Sequence, residues 1–89
     1  MVHEVLTSLD GPAVLTRAKA FFAERVPQYA AFPEKEGAGW LVLRGQGGEE
    51  IALATAAADG ALRVRASTLL FDQQVERFLS TLPAPAQVP

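Results

Sequence analysis

Two glycine-containing turns divide residues 40–68 of this 89-residue chain into three short, largely apolar runs. The second turn, Asp59-Gly60, is a strong signal for a two-residue hairpin, because glycine accepts a positive φ and aspartate tolerates one. The first turn, "GQGG", separates two runs that have the length of a strand. We therefore predict three antiparallel strands in the segments "GWLVLR", "EEIALATAA" and "ALRVRAST".

The "GQGG" segment is also the part of the chain that looks most like a ligand-binding motif. A phosphate-binding loop works because its backbone N–H groups converge on the anion at the start of a helix. Here the glycines are followed by Glu49, Glu50 and a strand-like run. Two carboxylates would repel a phosphate, so we interpret the loop as a hairpin connection.

Two amphipathic helices are predicted on either side of these strands. Over residues 12–26 the apolar positions recur at the spacing of one helical stripe, and a proline follows. The second stripe begins at Phe71 or Asp72 and ends at Leu82, with Asp72 as the expected N-cap. We expect both helices to cover the same face of the sheet.

The remaining segments carry weaker patterns. Residues 27–39 contain two prolines and two glycines, and we interpret them as a loop that Tyr29 and Phe32 pin to the body of the protein. Residues 2–8 alternate weakly and can form a short edge strand. The expected fold is therefore α+β and two-layered, in the order (β)-α-β-β-β-α, with an antiparallel meander sheet. It spans residues 1–82 as one domain and is followed by a Pro-rich flexible tail over residues 83–89.

This order of elements is similar to half of a TATA-binding-protein-like sheet and to a shortened helix-grip (START-like) domain. The resemblance is one of arrangement, and the chain carries no motif residues of either family. It therefore implies a layout and no activity.

A four-residue first loop predicts which side chains share a face of the sheet. It pairs Arg44 with Glu49, and Asp59-Gly60 pairs Ala54 with Arg65. The helix-covered face then carries Trp40, Val42, Ile51, Leu53, Thr55, Ala57, Leu62, Val64 and Ala66. The face without helices, here called the open face, carries Leu41, Leu43, Glu50, Ala52, Ala54, Ala56, Arg63, Arg65 and Ser67.

The predicted open face is too apolar for a face that only meets water, because Leu41 and Leu43 lie beside a strip of alanines. Charged residues at its margin can form ion pairs across a two-fold axis. A small core without any cysteine also gains from oligomerisation. We therefore expect a small soluble interaction protein that forms a homodimer through Leu41, Leu43, Glu50, Ala52, Ala54, Ala56, Arg63 and Arg65. A face that is simply wetted is the plainer alternative.

The sequence contains no recognisable catalytic constellation. His3 is the one histidine and lies near the N-terminus, and adjacent Glu49 and Glu50 point to opposite faces of a strand. We predict no catalytic residue, cofactor or metal, and a cytoplasmic location, because no signal-peptide pattern or spanning segment is visible.

Two further kinds of partner stay open. One is a small apolar or anionic ligand in a groove between the first helix and the sheet, near Phe21, Phe22 and Trp40. The other is nucleic acid, which a net charge of −2 disfavours. An open face without aromatic residues disfavours it further, since bases would have nothing to stack on.

Overall fold

The computed structural model describes residues 1–24 and 30–85 and shows an α+β protein of two layers. Two helices cover one face of a five-stranded antiparallel sheet whose strand order is β1-β5-β4-β3-β2. The elements are β1 (Val2–Thr7), α1 (Gly11–Glu24), β2 (Ala31–Gly37), β3 (Trp40–Gly45), β4 (Glu50–Ala58), β5 (Ala61–Thr68) and α2 (Asp72–Ser80). The predicted fold class is confirmed, with one strand more than the sequence indicated.

The core lies between the helices and the sheet. The buried stripe of α1 meets Val75 and Phe78 of α2, and the rings of Phe21, Phe22 and Phe78 lie 5.1–5.5 Å apart. Burying one large side chain of this kind contributes about 1.5–3 kcal/mol. The buried residues of α1 are Val14, Leu15, Ala18, Phe21 and Phe22, as the helical spacing predicted.

The two helices begin differently. The Asp10 carboxylate accepts a hydrogen bond from the Ala13 N–H at 2.8 Å and caps α1. The prediction that Asp72 caps α2 is wrong, because Asp72 is the first helical residue and Phe71 occupies the cap position without a side-chain bond. The Phe71 N–H instead donates to the Thr68 hydroxyl oxygen at 3.2 Å, so the turn before α2 supplies the acceptor.

The N-terminal segment pairs with the sheet, and the first residue of the C-terminal tail is bonded to it. Residues 2–7 form β1, which pairs with β5 at one edge. The Pro83 carbonyl oxygen accepts hydrogen bonds from the Thr7 hydroxyl at 2.6 Å and from the Ser8 N–H at 3.3 Å. The predicted flexible tail is therefore anchored at its first residue, and its last four residues lie outside the described part of the chain.

Strand β2 corrects the prediction of a loop over residues 27–39. Six of its seven residues pair with β3 at the other edge of the sheet, and Glu34 is left out at the register shift between Pro33 and Lys35. Phe32 does not pin this segment to the core, since its side chain is half exposed. Tyr29, the other expected anchor, lies outside the described residues, as do positions 25 and 26 of the predicted first helix.

The β3–β4 register differs from the predicted one by a single residue. The Gly45 N–H donates to the Glu49 carbonyl at 2.8 Å, so three residues and not four form the tip of the loop. Gly48 adopts a φ of +90°, which closes the turn. Arg44 therefore pairs with Glu50 and not with Glu49. The β4–β5 hairpin has the predicted register, with Asp59 and Gly60 both at positive φ.

The shifted register inverts every side chain of β3. Leu41 and Leu43 are fully buried in the core, so their predicted place on the open face is wrong. Trp40 and Val42, which were expected in the core, lie on the open face instead. The other six residues of the predicted interface do lie on the open face, namely Glu50, Ala52, Ala54, Ala56, Arg63 and Arg65.

Candidate interaction surface

The open face is built from rows of residues that neighbour one another across the five strands. The central row carries Arg65 on β5, Ala54 on β4 and Trp40 on β3. Small alanines run along β4 through the middle of this face, with Trp40 and Val42 beside them on β3 and Arg63 and Arg65 beside them on β5. The open face comprises Val2, Glu4, Leu6, Phe32, Lys35, Trp40, Val42, Arg44, Glu50, Ala52, Ala54, Ala56, Arg63, Arg65 and Ser67.

Trp40 is the largest side chain on the open face and is 42% exposed. Its indole ring lies over Gly37 of the neighbouring strand, because a Cβ atom added to Gly37 would come within 2.6 Å of the Cε2 atom of Trp40. The glycine thus provides the space that lets the ring rest on β2. The ring thus lies on the β2 side of Trp40, and Ala54, its neighbour on the other side, is exposed.

Arg44 holds one corner of the open face together. Its Nε and Nη2 atoms each donate to a carboxylate oxygen of Glu34 at 2.9 Å, and Nη2 also donates to Glu50 at 3.1 Å. Its Nη1 atom donates to the Gly48 carbonyl oxygen at 2.8 Å. The hydrogen bonds to the Arg44 guanidinium lower the pKa of the Glu34 carboxyl, and those to Glu34 raise the pKa of Arg44. The guanidinium group of Arg44 is therefore already engaged by partners within the same chain.

The arginines of β5 are less engaged. The Nε atom of Arg63 lies 3.7 Å from a carboxylate oxygen of Glu4 on β1, and both side chains are about half exposed. Among residues 1–24 and 30–85, Arg65 makes no ion pair or hydrogen bond through its side chain. The Glu50 carboxylate, which the sequence suggested as a partner across a dimer, instead pairs with Arg44 of the same chain.

A cleft of about 730 Å³ opens at one end of the sheet. It lies between the β3–β4 turn and the loop that joins β5 to α2. Leu69 and Leu70 in that loop are 89% and 73% exposed, more than any other large apolar residue that the structure describes. The turn contributes Gly47 and Gly48 to the lining of the cleft, and the loop contributes Leu69 and Leu70. Val2 of β1 and Ser67 of β5 also line it.

His3 is a structural residue and not a free surface histidine. Its side chain is only 11% exposed, and its Nε2 atom donates to the Asp72 carboxylate at 2.8 Å. This bond joins β1 to the first turn of α2. It is also the main reason why the pKa of Asp72 lies below its ordinary value, with the nearby N-terminal ammonium contributing.

The ligand groove expected near Phe21, Phe22 and Trp40 is not formed by those residues. Phe22 is fully buried between the helices and the sheet, and Trp40 lies on the opposite side of the sheet. A cleft of about 270 Å³ does lie beside Phe21, between the two helices. In the described ranges, no three His, Cys, Asp or Glu residues are grouped to hold a metal ion.

The position of Trp40 also changes the expectation about nucleic acids. The sequence placed no aromatic residue on the open face, whereas the structure places Trp40 and Phe32 there, both about half exposed. The sequence did not place these two residues on the open face. The predicted β3–β4 register put Trp40 in the core, and β2, which carries Phe32, was predicted to be a loop.

No protein-family model, no curated protein and no solved structure matches this chain. Within the described residues, neither helix has the length and apolar character that crossing a membrane requires.

Proposed function

We propose that the protein is a small non-enzymatic interaction protein that forms a homodimer through its open face. The observation that supports this most is the uncovered apolar strip formed by Trp40, Val42 and the alanines of β4. Both helices lie on the opposite side of the sheet, so within the described residues no element covers this strip. Contiguous exposed apolar area of this kind marks interaction sites, and tryptophan is enriched at the centre of interfaces.

The dimensions of the open face are consistent with a dimer of identical chains. Five strands about 4.8 Å apart, each about 20 Å long, present roughly 500 Å² of projected area per copy. Two copies together reach the ~1,000 Å² that a specific interface needs. We propose the cytoplasm as its compartment, and a chain without cysteine is consistent with that reducing environment.

An arginine at the centre of the open face tests the proposal. Ala54→Arg places a long charged side chain where a second copy must approach, and the exposed position leaves the core unchanged. Ala57→Arg is the matched control, because Ala57 is also exposed on β4 but alternates to the other side of the sheet. Light scattering should give twice the chain mass for the wild type and for Ala57→Arg, and one chain mass for Ala54→Arg.

Trp40 gives an independent measurement of the same event, since it is the one tryptophan of the chain. Dimerisation removes its half-exposed ring from water, so its fluorescence emission should shift to shorter wavelength as the protein concentration rises. A wild-type protein that stays monomeric at millimolar concentration, with unchanged emission, would refute the proposal.

Single-stranded nucleic acid is a second candidate partner for the same face. Trp40 and Phe32 offer rings on which bases can stack, and Lys35, Arg63 and Arg65 offer positive charge. The overall charge of −2 works against phosphate binding. Anisotropy of a labelled ten-nucleotide single strand decides the matter: binding that weakens steeply with salt supports this candidate, and unchanged anisotropy at low salt rejects it.

A further inference from the structure

We infer, on the basis of the homodimer proposed above, that two copies meet about a two-fold axis parallel to β4, with Arg65 of each copy stacked on Trp40 of the other. This arrangement defines the symmetry of the dimer and the pair of residues that determines it. It follows from where the two side chains lie relative to the alanine strip.

Arg65 and Trp40 occupy one cross-strand row, on opposite sides of Ala54 and one strand away from it. A two-fold axis that runs along β4 exchanges the two sides of the open face. Each residue of β5 then lies above the β3 residue of the same row in the second copy. Arg65 therefore lies above Trp40, at the same distance from the axis.

The other face-to-face arrangement has its two-fold axis perpendicular to the strands. That axis exchanges the two ends of each strand and keeps β5 above β5. Centred on Ala54, it places the Arg65 guanidinium of one copy against the same group of the other. Like charges that meet in an interface suppress association, so the axis along β4 is favoured.

The chemistry of the two groups fits the contact. Among the described residues Arg65 has no carboxylate partner, so its cation is available. The Trp40 ring rests on Gly37 and stays partly exposed. A guanidinium over a tryptophan ring is an attractive cation–π contact, and the small alanines between the two residues let the backbones of the two sheets approach closely.

A second pair of exposed groups is brought together by the same axis. Leu69 and Leu70 follow directly after the end of β5, whereas Phe32 lies on β2 at the same end of the sheet. All three side chains are at least half exposed. Exchanging the two sides of the open face brings the leucines of one copy over the Phe32 side of the other, so these apolar surfaces shield each other from water.

A mixing experiment with two charge variants tests the inference. In Trp40→Lys the introduced lysine faces Arg65 of the second copy, and in Arg65→Glu the introduced glutamate faces the electron-rich ring of Trp40. Each variant alone should dimerise at least about tenfold more weakly than the wild type, because both copies of the contact become repulsive. An equimolar mixture forms one native contact and one lysine–glutamate pair, so a heterodimer should appear.

Sedimentation gives the dissociation constants, and native mass spectrometry separates the heterodimer from both homodimers. Arg77→Glu, an exposed charge reversal on α2, is the control that should dimerise like the wild type. Thermal unfolding of each variant checks that it is folded.

A heterodimer formed from two monomeric variants supports the inference. Variants that dimerise like the wild type, or a mixture that stays monomeric, overturn the inferred axis and leave the homodimer standing. A monomeric wild type overturns both.

Discussion

At the scale of single residues, the hydrogen bond between His3 and Asp72 makes the free energy of unfolding depend on pH. The bond lowers the pKa of Asp72 below its ordinary value of 3.8. A carboxyl whose pKa is lower in the folded state stabilises the fold above its unfolded pKa, and this contribution is lost as the pH falls through the folded value. We therefore expect Asp72→Asn to be less stable than the wild type at neutral pH, with the difference shrinking below about pH 4.

Urea unfolding at pH 7 and pH 3 measures this difference. Glu24→Gln removes an exposed carboxyl that makes no ion pair within the described residues, and it should show no such change. A gap between Asp72→Asn and the wild type that stays constant over this pH range would contradict the role given to the bond.

Two neighbouring residues of β3 should respond very differently to truncation. Leu43 is fully buried, so Leu43→Ala removes core contacts and should lower the free energy of unfolding by about 2–5 kcal/mol. Val42 lies on the open face, and we expect Val42→Ala to cost about 1 kcal/mol or less. Urea unfolding of the monomeric Ala54→Arg background isolates the effect on folding. Costs in the reverse order would show that β3 faces the other way.

At the scale of elements, the β3–β4 turn decides the composition of the open face. Gly48 adopts a φ of +90°, and a Cβ atom there would meet no neighbour, so any cost of Gly48→Ala comes from the backbone. We expect about 1–2 kcal/mol of destabilisation. Gly47→Ala is the matched control in the same loop, because its Cβ atom would meet only the flexible end of Glu49. Equal thermal stabilities of the two variants would contradict the role given to Gly48.

The two hairpins show how far sequence reasoning reaches. Asp59-Gly60 allows one compact turn, so the β4–β5 register could be predicted together with the positions of Ala54 and Arg65. The first loop contains three glycines, and the sequence does not say which one takes the positive φ. The structure has a three-residue loop with Gly48 in that conformation, and this loop places Trp40 on the open face.

Strand β2 could not be predicted because, as an edge strand, it lacks the apolar alternation and the residue types that are typical of strands. Pro33, Glu34, Lys35 and Glu36 are residues that β-propensity disfavours, and an apolar alternation is missing. Natural proteins place such residues on edge strands to prevent unwanted pairing. The helices, in contrast, were predictable because their buried stripes follow a regular period and a proline follows each stripe in the sequence.

At the scale of the whole molecule, the proposed dimer links stability to concentration. Only the folded chain presents the open face, so association stabilises the fold by mass action. Each tenfold rise in concentration should raise the unfolding temperature by roughly 3–5 °C. Differential scanning fluorimetry or calorimetry over three decades of concentration measures this. Ala54→Arg should melt at one temperature throughout, and a wild type that does the same would speak against association.

The irregular edge strand β2, with Pro33 at its register shift, affects whether the protein can form larger assemblies. A sheet can grow into a fibre only if both edge strands of every copy can pair with the edge strand of another copy. Pro33 lacks an amide hydrogen, and the register shift beside it breaks the regular spacing of the backbone groups. We therefore expect edge-to-edge association of folded copies to stop once two β1 edges have paired, because the β2 edge offers no regular ladder for a third copy.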